Sequence, residues 1–554
     1  FWLKPFWLNI SSRAPVPRLR RPSRGNFRRA IMLGTFRVVA RTRSLGCSSR
    51  VLLVRLQQSG FASQALPLRT QLFINNEWVD AKSKKSFDTI NPVDESKIAT
   101  VQEAGQEDVD LAVAAANKAF ETWRRSDGAT RRNLLLKLAD LVEQNRDRLA
   151  EVESLDNGKP KHVADGVDIG LVIECFRYYA GWADKVGGQV IQPTQNSSST
   201  FCFTWNQPIG VVGQIIPWNF PLLMQAWKLG PALAMGCTIV MKLSEKTPLS
   251  GLLMCDLIKQ AGFPAGVVNI VNGPGPTTGD FIARHPDIKK VAFTGSSAVG
   301  NKIVEASSQS NMKKVSLELG GKSAMIICKD ADLDQAAVAS HIGLFLNMGQ
   351  CCVASSRIFV HEDIHDAFVA KVVALAERLR SQGDTTSETD VPICDLGPQV
   401  DKIQFEKVLR YIEIGKKEGA KVAIGGGRLG TKGYFVQPTI FAGVTDDMTI
   451  AKEEIFGPVM QLMKFKTLDE AIRRANSSQY GLAAGICTRD VGTALAGARD
   501  LEAGTVYVNC YDNFDNAAPF GGFKQSGWGR EKGEAALASY TEVKTVMIPI
   551  DPKN

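Results

Sequence analysis

The chain has 554 residues, 44% hydrophobic and 22% charged, a composition that places it among globular proteins with room for two or three domains, each burying its own core. Its net charge of +9 belongs to one end, because residues 1–65 hold Lys4 and twelve arginines with no Asp or Glu. Taking those thirteen from the 66 basic residues leaves 53 against 57 acidic, so no basic field remains to argue for a nucleic-acid partner.

In chain order, residues 32–63 are Arg- and Ser-rich, acid-free and mildly amphipathic, the pattern of a mitochondrial transit peptide, and no secretory signal or membrane span competes with it. The expectation is a matrix protein whose translation starts at Met32, residues 1–31 being upstream sequence. Residues 105–185 read as mostly helical, with clustered charges taken as solvated faces. "TQNSSSTFCFTW" reads as a loop leading into an exposed strand. From about residue 208, apolar runs such as "GVVGQII", "CTIVMKL", "VVNIV" and "KKVAFTG" alternate with helix-length segments, which predicts βαβ units on a parallel sheet. A second α/β series runs from about 320 to 525, interrupted by the polar loop 381–394.

Cysteine is the natural starting point for chemistry, since "GQCCVASSR" sets Cys351 beside Cys352. Eleven scattered cysteines make no disulfide framework. Neighbouring residues sit about 3.8 Å apart at Cα, too close for easy bridging. Zinc would need further His or Cys at ligand spacing, and none is there. What remains is either a buried inert thiol or a nucleophile activated by a nearby base. "HEDIH" at 361–365 fits a zinc-protease pattern, but His361 follows the strand-like "RIFV" and the helix should begin near Asp363, an apt N-cap, so the two histidines do not share a helix. "GGKS" at 320–323 fails as a P-loop because the first glycine would fall at Ser316.

Other segments carry a functional and a bland reading side by side. "NGPGPTTG" and "FTGSSAVG" each follow a strand and precede a helix, where glycines and free N–H groups receive pyrophosphate or simply turn the chain. Lys242 and Glu245 close a strand, able to grip ribose hydroxyls or to form a surface ion pair. Asn219 of "PWNFP" stands at a strand's carboxyl end, either an oxyanion donor or a turn residue. Glu318 in "LELGGKS" lies among apolar neighbours that would raise its pKa toward that of a general base, unless it pairs with Lys313 or Lys314.

With "EEIFGPV" and "PFGGFKQSG", these motifs in this order resemble the NAD(P)-dependent aldehyde dehydrogenase family over about residues 66–550, in detail its mitochondrial, tetrameric class that oxidises small aldehydes. The resemblance implies an α/β protein: a Rossmann-like NAD-binding domain (66–189 and 209–320), an α/β catalytic domain (321–525) and a β oligomerisation arm with the C-terminal segment (190–208 and 526–554). The arm would combine "TQNSSSTFCFTW" with the C-terminal "TEVKTVMIPI", strands that lack a sheet of their own and so invite pairing across subunits of a homotetramer. Cys352 is implied as nucleophile, with its own N–H and the Asn219 amide as oxyanion donors. Glu318 would activate the hydrolytic water, and Lys228 and Glu531 would relay its proton. Ile216, Pro217, Trp218, Lys242, Glu245, Gly275, Gly295, Ser296, Gly300, Leu319, Glu454 and Phe456 match cofactor positions. Phe220, Met224, Trp227, Cys351, Phe514 and Phe520 match the substrate tunnel. No metal is implied. A carboxylate at Glu245 would repel a 2′-phosphate, favouring NAD over NADP. Leu346 and Ile342 stand where close relatives often carry Phe, which implies a roomier pocket. Two rivals remain: a CoA-acylating semialdehyde dehydrogenase, which typically lacks the Glu318 carboxylate, and a crystallin-like structural relative, which would be expected to have lost Cys352, Glu318 or Asn219.

Overall fold

The computed structural model describes residues 66–381 and 395–550; the expected leader and residues 382–394 of the polar loop lie outside them. Two large sheets organise these residues. The first has eight strands, in the order Glu77–Val79, Leu72–Ile74, Val268–Val271, Thr238–Lys242, Val211–Ile215, Lys290–Thr294, Lys314–Glu318 and Gly527–Trp528. Its five central strands are parallel. The four apolar runs expected to form strands all lie among those five, each buried along its length, as a sheet covered on both faces requires. The second sheet has seven strands centred on Arg357–His361 and Ala324–Ile327, parallel except at the edge strand Lys421–Ile424.

Strand order decides where a site can form. In the first sheet the chain steps outward from Val211–Ile215 in both directions, through Thr238–Lys242 on one side and Lys290–Thr294 on the other. Such a reversal opens a crevice beyond the carboxyl ends of the two diverging strands. The segments leaving them are Pro217–Asn219 and Gly295–Ser296, and Glu318 closes the neighbouring strand.

Residues 105–185 are helical as expected, through Gln106–Trp123, Gly128–Gln144, Arg146–Asn157 and Gly170–Trp182. Their charges are not all solvated. Glu153, Asp156, Lys159 and Asp168 are buried, Lys159 forming an ion pair with Asp168 and lying 3.9 Å from Glu153. Mutual pairing lets Glu153, Lys159 and Asp168 leave water, and Asp156 accepts from the Leu249 N–H at 2.7 Å, neither of which single-residue polarity reveals.

The arm combines the two strands expected to form it, and departs from expectation only in that they already make a sheet within the chain. Thr541–Pro549 pairs antiparallel with Thr200–Pro208 along nine residues, from Thr541 opposite Pro208 to Pro549 opposite Thr200, and Val190–Ile191 adds a third strand. These strands therefore do have a sheet of their own. Gly527–Trp528 pairs with Lys314–Glu318 in the first sheet, not with the arm.

At "HEDIH", His361 ends a strand and His365 opens the helix His365–Ala376. Between them lies a short 3-10 turn, Glu362–Ile364, capped by His361, whose Nδ1 accepts from the Asp363 N–H at 3.3 Å; Asp363 sits inside that turn and caps nothing, and the helix proper follows Ile364 without a side-chain cap.

Candidate active site

A cavity of about 220 Å³ lies at the crevice and is lined by Asn219, Glu318, Cys351 and Cys352. It collects all the expected tunnel residues, Phe220, Met224, Trp227, Phe514 and Phe520 besides Cys351, and from the cofactor set Pro217, Trp218, Gly295, Ser296, Leu319, Glu454 and Phe456. Leu346 is in the wall, and Ile342 lines an adjoining cavity that shares Val167, Leu171, Leu346 and Phe514 with it.

Cys352 is presented by an unusual turn. After the helix Leu333–Phe345, Asn347, Met348 and Gly349 all take left-handed backbone, φ 52°, 58° and 71°. A bulky side chain is costly there and persists only where the surroundings enforce it. Asn347 Nδ2 donates to the carbonyls of Asn219 at 2.9 Å and Gln350 at 3.1 Å, and Gln399 Nε2 donates to Met348 O at 3.3 Å. Gly349 cannot be replaced freely, since a Cβ would stand 2.2 Å from the Gly457 carbonyl carbon. Beyond the cysteines, Tyr511 Oη donates to Val353 O at 2.9 Å. Cys352 is partly exposed, Cys351 buried. The hydrogen bond with Cys351, burial and the nearby Glu318 charge together hold the Cys352 thiol well above its ordinary range.

Asn219 follows from "PWNFP": Pro217 comes after the buried strand, and Pro221 opens the wholly buried helix Pro221–Met235 at its first position, where proline is favoured. Its Nδ2 donates to Gln350 O at 3.1 Å, which aims one amide hydrogen and leaves the other for the cavity. Its carbonyl accepts from Lys159 Nζ at 3.0 Å. The neighbouring Trp218 carbonyl accepts from Asn157 Nδ2 at 2.7 Å. The buried cluster of the "DNGKP" segment thus sits directly behind this turn. No pattern in the sequence pointed to it.

Glu318 is buried with neither carboxylate oxygen hydrogen-bonded. Lys313 and Lys314 do not pair with it: Lys313 binds Ala283 O and Ser310 Oγ, and Lys314 binds Glu542. Burial, and after it the Glu531 charge, push Glu318 up to about 8. Lys228, buried, forms an ion pair with Glu531 and donates to Thr294 Oγ1 at 2.7 Å. Thr294 is a cavity residue, so the pair reaches the cavity wall although neither member lines it.

The rest of the cofactor set lies outside the lining. Lys242 Nζ, buried, donates to Glu245 at 2.9 Å and to Leu243 O at 2.9 Å, so the pair is half-buried rather than a surface contact. Gly279 closes the turn Gly275–Gly279 with room for a Cβ only 3.7 Å from Lys242 Cδ, which brings the "NGPGPTTG" turn against that lysine. Ile216 N–H donates to Lys242 O at 3.2 Å. Gly295 and Gly300 are filled-in positions, where a Cβ would stand 2.5 Å from the Phe293 ring and 2.8 Å from Leu319. Ser296 caps the twelve-residue helix Ser297–Ser308, whose first N–H groups suit phosphate. Glu454 accepts from Gly321 N–H at 2.9 Å, an approach that Gly320 permits, since a Cβ there would be 2.3 Å from Glu454 Oε2. Phe456, at φ 60°, meets Trp218 edge-on at 5.2 Å and is held by Gln404 Nε2 on its carbonyl at 2.7 Å. A carboxylate, an aromatic floor and a helix N-terminus around one crevice fit a dinucleotide. Gln404 and Lys407, on the helix Lys402–Lys417, also line the cavity; the sequence reading missed both because that helix reads as an ordinary charged surface element.

Comparison with known proteins shows the family. The profile of the aldehyde dehydrogenase family matches residues 78–546. The chain is 55% identical over 487 residues to the mitochondrial aldehyde dehydrogenase of Mesocricetus auratus, covering 87% of this chain and 96% of the relative, and 56% identical over 488 residues to aldehyde dehydrogenase 1A1 of Gallus gallus, covering 88% and 94%. The NAD+ complex of a Bacillus cereus aldehyde dehydrogenase superimposes with a TM-score of 0.84 at 51% identity, over 88% of this chain and 98% of that one. The chain belongs to the aldehyde dehydrogenase family and is an NAD-using oxidoreductase.

Proposed function

We propose that the protein oxidises small, uncharged aldehydes to carboxylic acids through a thioester on Cys352. The observation that carries the reading is the convergence of Cys352, Glu318 and Asn219 on one cavity whose remaining wall is largely aromatic and aliphatic. At rest the Cys352 thiol keeps its proton, and Glu318, once ionised, is the base placed to remove it. The thiolate attacks the carbonyl carbon. The oxygen that gains charge is stabilised by the free Asn219 amide hydrogen and the Cys352 N–H, donors that need no reorganisation because Gln350 and Lys159 already hold the turn. NAD, when bound, supplies the hydride acceptor. Glu318 then takes a proton from the water that cleaves the thioester, and the nearby Lys228, hydrogen-bonded to Thr294 and paired with Glu531, would relay that proton onward.

The discriminating experiment separates the two sulfurs. Cys352→Ala should abolish NADH formation, whereas Cys351→Ala should retain substantial turnover with altered substrate fit. Mass spectrometry of enzyme mixed with NAD and propanal should place the acyl group on Cys352. An adduct on Cys351, or full activity in Cys352→Ala, would overturn the assignment.

The same reading divides the chain into the NAD-binding and catalytic domains at the passage from one large sheet to the other, between Glu318 and Ala324. It makes the arm, with Phe201, Trp205, Val543 and Met547 exposed, the contact that builds a homotetramer, which the mass from sedimentation equilibrium would test. The matrix location rests on the acid-free leader and on relatives named as mitochondrial; cell fractionation with the protein outside mitochondria would refute it.

A further inference from the structure

Lys532 is buried yet has no carboxylate within ion-pair distance among the described residues. Its ammonium instead lies over three aromatic rings, 5.0 Å from Trp227, 5.0 Å from Phe514 and 5.7 Å from Phe520. Those rings also pack edge-on against one another at 5.2–6.3 Å. All three line the cavity, and Lys532 does not: the cation stands behind the wall. Its place is set from both sides. Phe520 and Glu531 exchange backbone hydrogen bonds at 2.6 and 2.7 Å, Gly533 N–H donates to Asn516 O at 2.8 Å, and Lys532 itself takes left-handed backbone at φ 60°. Burial lowers its pKa to about 8, with Cys175 and Asp515 acting the other way, so it carries its charge at neutral pH.

A cation against one face of a ring draws on the quadrupole that would otherwise attract a second cation to the other face. Its own field also crosses a low-dielectric wall with little screening. We infer that Lys532 is a specificity-determining residue that bars aldehydes with cationic tails from an aromatic tunnel that would otherwise welcome them. This rests on the aldehyde-oxidising reading of the same cavity.

The test compares trimethylammoniobutanal with its tert-butyl carbon isostere, matched in size and differing in charge, by kcat/KM from NADH formation. The unmodified enzyme should prefer the neutral isostere by at least about tenfold. Lys532→Met should shrink that preference about tenfold while leaving kcat/KM for the neutral isostere within about threefold. Lys532→Gln is a second neutral variant, and Lys532→Arg should retain the preference. Failure to oxidise the neutral isostere at all would count against the aldehyde reading, not this one. Equal use of the two isosteres by the unmodified enzyme, or losses in Lys532→Met that are the same for both, would overturn the role assigned to Lys532.

Discussion

Replacing Glu318 by Gln tests two consequences of one buried carboxyl. The folded protein holds this group at about 8, against an ordinary value of 4.5, through burial first and the Glu531 charge second. An acid whose pKa is raised by folding is bound to its proton more tightly in the native state. Stability is therefore fully present below 4.5 and declines as pH climbs toward about 8, by up to about 1.4 kcal/mol per pH unit. Summed over that window the decline is on the order of 4 kcal/mol. Gln does not titrate, and the cost of its buried amide is the same at every pH, so it drops out of the comparison. Urea denaturation of both proteins in half-unit steps from about pH 5 to about pH 8 should show the difference in unfolding free energy moving steadily in favour of Glu318→Gln. The same variant should lose roughly 10²- to 10⁴-fold in steady-state turnover, and turnover of the unmodified enzyme should rise through about pH 8 as the base ionises. Parallel stability curves for the two proteins, or turnover falling between neutrality and pH 8, would refute the reasoning.

Three further outcomes are expected. Glu245→Gln removes the carboxylate that Lys242 holds at 2.9 Å, so the ratio of kcat/KM with NAD to that with NADP should fall; an unchanged ratio would remove Glu245 from cofactor choice. Lys159→Met breaks a fully buried ion pair, which costs roughly 3–5 kcal/mol. It also frees the Asn219 carbonyl, so kcat should fall more than KM changes; denaturation and steady-state kinetics together check this. Gly349→Ala forces a Cβ to within 2.2 Å of the Gly457 backbone at a left-handed position, so the turn must move and Cys352 should be misplaced. Alkylation by iodoacetamide at an unaltered rate, with normal activity, would show that the turn tolerates it.

The strands and helices from residue 208 onward were legible because their signals are local: apolar runs of strand length, prolines and glycines at their ends, and helical periodicity between. The leading members of the candidate site were legible for a related reason. Asn219, Glu318 and Cys352 each stand in a short motif, and the order of those motifs carries the family resemblance. Apart from the resemblance, their convergence was not legible from the residues, because it depends on Val211–Ile215 being the strand from which the sheet grows both ways. Nor was the fate of charges. Glu153, Lys159 and Asp168 read as helix surface, since what allows a charge to leave water is a partner brought by folding, here a lysine beside two carboxylates and under the Asn219 carbonyl. Lys532 reads as one more polar residue after a glutamate, and only packing sets three rings around it. The arm sheet joins strands at residues 200–208 and 541–549. Local sequence determines what each segment prefers to be; which distant segments share a sheet, a cavity or a proton is decided by the burial and pairing that tertiary structure imposes.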